Sequence, residues 1–115
     1  MAVRMTKAWR PLDAASVKQL PGQLGVYQIA DSGGEVLYIG FAGGRSLYGL
    51  RGELQDQLQA RDPDGTQGFQ YRVEVNTSYQ TRYRELLMAY RYDTGELPLD
   101  NRDNPPPNLG RISPA

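Results

Sequence analysis

Between Gly25 and Gly40 the chain carries two β-branched, aromatic-bearing runs joined by Asp31-Ser32-Gly33-Gly34, the composition of a tight antiparallel hairpin. If Ser32-Gly33 makes the turn, Tyr27 faces Tyr38 directly, and if Gly33-Gly34 makes it, the two sit diagonally. Either register puts both phenols on one face of the sheet, because side chains alternate with period two and an even shift preserves the face. A three-residue turn with a bulge would spoil that relation.

The rest of the chain supplies elements to sandwich this hairpin. Residues 1–12 read as a loosely ordered lead-in anchored by Trp9 at the edge of the core. Asp13 caps a short helix over 14–20 that turns Ala15, Val17 or Leu20 inward and ends at Pro21-Gly22. Ser46 is the expected cap of a helix over about residues 47–60, where Leu47, Leu50, Leu54 and Leu58 recur at helical spacing. Gly49 and Gly52 weaken it, which fits either a large body approaching its first turns or a frayed start. Phe69 to Asn76 alternates cleanly and reads as a third strand with one buried face. A helix over about residues 79–92 follows, with Tyr79, Tyr83, Leu86, Leu87 and Tyr90 in one stripe and Gly95 as its stop. Glu85 falls on a second, partly apolar face beside Met88, Ala89 and Tyr92, where a buried carboxylate needs an arginine or a metal ion. The expected architecture is α+β, an α/β sandwich in which a small three-stranded antiparallel sheet is flanked by helices. It forms a single domain over residues 1–103 with a Pro-rich irregular tail over 104–115.

Composition then limits the chemistry. Histidine and cysteine are both absent, which excludes imidazole bases, Ser-His-Asp triads, zinc fingers and disulfides. Any catalysis must run on Tyr, Arg, Lys, Asp, Glu, Ser or Thr. The 13 cations are 11 Arg and 2 Lys, a skew toward the bidentate phosphate binder, although the net charge is zero. A neutral total argues against tight, salt-driven binding to duplex. No apolar run approaches the roughly 18 residues of a membrane span, and no signal peptide is legible, so a cytoplasmic location is expected.

Gly25-Val26-Tyr27 followed by Tyr38-Ile39-Gly40 resembles the paired signature of the GIY-YIG nuclease domain, found in excision-repair incision nucleases, homing endonucleases and structure-specific resolving nucleases. That family carries an arginine in the helix after the second motif, a glutamate in a later helix and an asparagine shortly after a proline. Arg51, Glu85 and Pro98 to Asn101 stand here in that order. The resemblance implies metal-dependent hydrolysis of DNA phosphodiester bonds, with branched, nicked or distorted DNA as partner and one Mg²⁺ or Mn²⁺ ion per site. It implies Tyr27 as general base, which needs its pKa well below the free value of about 10. It further implies Tyr38 on the phosphate or the water, Arg51 on the phosphate charge, and Glu85 as catalytic residue and metal ligand. Arg45, Tyr48 and Asn101 are the substrate-binding candidates. Family members place the helix arginine about eight residues past the second glycine. Here Phe41 follows the motif, Tyr48 holds the eighth position and Arg51 the eleventh, so Arg45 competes for the arginine role. The alternative is a lapsed member, the same fold used as a nucleic-acid or protein interaction module. A neutral nuclease domain of this size would need a homodimer or a targeting partner to find its substrate.

Overall fold

The computed structural model describes residues 4–102, so the expected tail over 104–115 lies outside the described residues. In chain order the elements are β1 (Arg10–Pro11), α1 (Ala14–Val17), β2 (Gly25–Ala30), β3 (Val36–Ala42), α2 (Gly49–Arg61), β4 (Gln70–Val75), α3 (Tyr79–Thr94) and a 3-10 turn (Leu99–Asn101). All strand pairs are antiparallel in the order β1-β4-β2-β3, making four strands where the sequence suggested three. The extra strand lies in the expected lead-in. From residue 4 onward that segment is ordered because Met5 and Leu12 are buried and Trp9 lies over the Arg72 guanidinium at 4.3 Å. Pro11 is tolerated there because β1 is an edge strand.

The hairpin takes the diagonal register. Tyr27 pairs with Gly40 and Ile29 with Tyr38, and the register shifts only between Ile29 and Ala30, beyond both tyrosines. Gly34 at φ 92° and the Asp31 carboxylate, which accepts from the Gly33 and Glu35 amides, build that irregular turn. Both phenols therefore stay on one face, as expected, despite the bulge.

The two faces have separate covers. Tyr27, Ile29, Ala42 and Tyr71 pack with Leu12, Val17, Leu20 and the α2 leucines Leu50, Leu54 and Leu58. On the other face Val26 and Ile39 pack with Met5, Leu86 and Leu87, joined by Tyr79, Tyr83 and Tyr90 of the α3 stripe. Asp13 caps α1 through the Ser16 amide at 2.8 Å, and Gly95 closes α3 at φ 89°. The α1 helix ends at Val17, and Ala15 is exposed while Val17 and Leu20 are buried. At the free edge of β3, the Asn101 side chain accepts from the Ile39 amide at 2.8 Å and donates to its carbonyl at 3.0 Å. It pairs like a one-residue strand and blunts the edge.

The start of α2 departs from expectation. Tyr48, not Ser46, precedes the helix, and Leu47 is 78% exposed rather than part of the core stripe. Ser46 instead accepts from the Gly43 amide at 3.0 Å and donates to Glu53 at 2.9 Å. The large body approaching Gly49 and Gly52 is the chain itself: a Cβ on Gly49 would collide with the Gly22-Gln23 backbone and one on Gly52 with the Leu47 carbonyl.

Candidate functional site

The tyrosine face supplies the first half of a site. The Tyr27 and Tyr38 rings stand with centroids 6.0 Å apart at 51°. Tyr27 crosses over its cross-strand neighbour Gly40, where a Cβ would sit 2.5 Å from the phenol oxygen. Tyr27 is buried to 1% exposure, so its hydroxyl depends on internal partners. It donates to Glu53 Oε1 at 3.5 Å and accepts from Gln57 Nε2 at 3.3 Å. Gln57 in turn accepts from Arg61 Nε at 2.8 Å, and Arg61 lies 5.8 Å from the Tyr38 ring while pairing with Asp100 at 2.7 Å. Burial pushes the Tyr27 phenol well above its usual pKa, with Tyr38 and Glu53 adding to the shift. Burial raises Tyr38 as well, again reinforced by Glu53. Such phenols are hydrogen-bond donors at neutral pH rather than bases.

The other expected site residues do not join them. Glu85 lies on α3, which covers the opposite face of the sheet, and is ion-paired with Arg82 three residues earlier. Arg82, 8% exposed, also holds Glu74 through Nε at 2.8 Å and Nη2 at 3.1 Å. Burial works against the Glu74 carboxylate, but hydrogen bonds from Arg82 and Asn76 outweigh it and hold its pKa below the usual range. Arg51 sits on the α2 side but gives its Nε to the Leu20 carbonyl at 2.8 Å. Asn101 is occupied by the edge of β3, and Arg45 and Tyr48 project into solvent from the loop before α2. Tyr27 and Tyr38 thus converge with Glu53, Gln57 and Arg61, whereas Arg51 and Asn101 bond backbone groups elsewhere and Glu85 is ion-paired. The missed trio stands at i, i+4 and i+8 on α2, each three residues past a core leucine, which puts a polar row on the flank of the buried stripe. That row was legible in the sequence.

A single-carboxylate Mg²⁺ site does not fit Glu85, because the guanidinium of Arg82 already occupies the place of the cation. Glu53, with the Ser46 hydroxyl and the Tyr27 phenol beside it, is an oxygen donor set of the kind a hard cation takes. Among the described residues no three or more His, Cys, Asp or Glu side chains group to hold a metal ion.

The Arg82 network yields a stability prediction. Arg82→Met is expected to cost about 2 kcal/mol by stranding two part-buried carboxylates, while Glu85→Gln costs well under about 1 kcal/mol because Glu74 still holds the guanidinium. Urea denaturation of both variants checks the ordering, and equal losses would contradict it.

Fold and site together describe an antiparallel α+β domain with a phenol-carboxylate-guanidinium cluster under one helix and a salt-bridge network under the other. The chain belongs to a family described as a domain of unknown function (DUF7508), whose model matches residues 3–93. The curated proteins and the solved structures hold no significant match. Among the described residues no helix is long and apolar enough to cross a membrane.

Proposed function

We propose that this domain is a GIY-YIG-like nucleic-acid-binding module in which the Glu85-centred hydrolytic chemistry has lapsed. The observation that carries the reading is the placement of Tyr27 and Glu85 on opposite faces of the sheet, with Glu85 committed to Arg82. A general base needs a lowered pKa, and the Tyr27 phenol is shifted the other way. Binding is supported by the exposed loop carrying Arg45, Leu47 and Tyr48, and by the arginine-biased cation set. With no net charge, affinity for branched, nicked or distorted DNA is expected to be about micromolar or weaker and to fall with salt.

A second reading has a specific observation in its favour. Glu53 lies within 3.5 Å of the Tyr27 hydroxyl, so a cation held by Glu53 would place metal-assisted phosphodiester hydrolysis on the tyrosine face. Labelled branched, nicked and duplex DNA, incubated with the protein and Mg²⁺ or Mn²⁺, separates the two. Mobility shift at low and moderate salt gives the binding. The expected result is salt-sensitive binding with no cleavage above a Glu85→Gln control. Cleavage abolished by Glu85→Gln would overturn the lapse, and cleavage abolished by Glu53→Gln alone would establish the second reading. A protein that binds no DNA in any form would remove the nucleic-acid half.

A further inference from the structure

Tyr48 occupies a backbone position that its side chain does not suit. Its φ is 63° and ψ 18°, the left-handed region, and it is the one non-glycine residue with positive φ among the described residues. At five other such positions the chain uses glycine: Gly34, Gly49, Gly65, Gly68 and Gly95. A bulky residue in that region is strained, and burial often compensates such strain. Here burial does not, because Tyr48 is 71% exposed and its neighbour Leu47 78%. Arg45, three residues back, is exposed as well. The strain therefore supports a ring held in water.

The loop that presents the ring is fastened from both sides. Ser46 bridges the Gly43 amide and Glu53, and the Gly44 amide donates to the Tyr79 hydroxyl at 3.3 Å. Gly43 is wedged against the Tyr79 ring, where a Cβ would sit 2.9 Å away, and a Cβ on Gly22 would sit 3.3 Å from the Tyr48 carbonyl oxygen. An exposed aromatic on a fastened loop costs little loop ordering on binding, and an exposed arginine three residues earlier in the same loop complements a polyanion.

We infer that Tyr48 is the stacking platform for an unpaired base of a single-stranded nucleic acid, with Arg45 on the adjoining phosphate. The inference rests on the nucleic-acid reading above and deepens it, by naming an unpaired strand as the ligand and this loop as the place of contact. Base stacking on an aromatic ring is tolerant of sequence, so the preference is for unpaired over paired strands rather than for one base. A protein partner is the competing occupant of an exposed aromatic-arginine loop.

Fluorescence anisotropy of a labelled oligothymidylate of about twelve nucleotides, set against a hairpin duplex of equal length, tests the inference on the full chain. Wild type is expected to favour the single strand. Tyr48→Ala and Tyr48→Gly are each expected to weaken it about tenfold, while Tyr48→Trp keeps it. Arg45→Ala is expected to lower the slope of log affinity against log salt by about one. Tyr48→Gly should also melt a few degrees above wild type, because glycine adopts this backbone region freely. Unchanged single-strand binding in Tyr48→Ala overturns the inference and leaves the function standing. Loss of melting temperature in Tyr48→Gly also overturns it, since the ring would then be a structural asset. A wild type that binds neither probe removes both readings and leaves the loop to a protein partner.

Discussion

Gly25→Ala is expected to cost on the order of 3 kcal/mol or more, enough to unfold much of a marginally stable domain at moderate temperature. A Cβ at this position would land on the Glu74 carbonyl oxygen, inside its van der Waals surface, and 3.0 Å from Leu50 Cδ1. Glu74 is backbone of β4, the strand paired directly with β2, so relief requires breaking the ladder rather than turning a side chain. Gly40→Ala is milder, because the obstacles are the Tyr27 and Tyr38 rings rather than strand backbone, though the Tyr27 ring is buried in the core. Gly44→Ala, with nothing within 4 Å, is expected to stay within about 0.5 kcal/mol of wild type. Thermal melts followed by circular dichroism should place Gly25→Ala at least about 12 °C below Gly44→Ala at this chain length. A Gly25→Ala protein melting with wild type would mean that β2 and β4 are not in this register.

The functional consequence is that both glycines of the paired signature have a packing reason independent of chemistry. Gly25 admits the neighbouring strand, Gly40 admits the Tyr27 ring, and Tyr27 itself fills the core beneath α2. A chain that kept this sheet would keep the signature after losing its catalytic groups. The motif is evidence about how β2, β3 and β4 pack. It is weaker evidence about what the surface does.

Where the sequence could be read and where it could not follow the same division. The hairpin, the α3 stripe, the Asp13 cap and the Gly95 stop are written in local periodicities and capping residues, and each is where the residues put it. The face that each helix covers is not local information. Val26 and Ile39 are as apolar as Tyr27 and Ile29, so both faces of the sheet invite a helix, and only the paths of the connections send α2 to one and α3 to the other. It was the family resemblance, not the pattern of the sheet, that put Glu85 in one site with Tyr27. The sequence left Glu85 needing an arginine or a metal ion, and Arg82, at i−3, a spacing at which side chains meet on a helix, is the arginine that pairs with it. The two-residue β1 was too short and too proline-bearing to signal a strand, and the strained Tyr48 hid the true start of α2.

Raising the pH above 10 is expected to unfold the domain cooperatively. Four phenols have raised pKa values: burial lifts Tyr27 well above 10, Tyr83 up to about 12, and Tyr38 and Tyr90 by lesser amounts. In the unfolded chain all four ionise near 10. Between the two sets of values the folded state holds more protons than the unfolded one, so stability falls as pH rises through that window, and the contribution of these phenols is constant below it. A spectrophotometric titration at 295 nm reads the phenols as they ionise. The buried group should ionise in a steep step that coincides with loss of the far-ultraviolet signal. Tyr27→Phe should move that step to higher pH, since it removes one of the phenols whose proton the folded state retains and phenylalanine fills nearly the same space. A smooth titration of every tyrosine near 10 with the fold intact would contradict the enclosure of Tyr27.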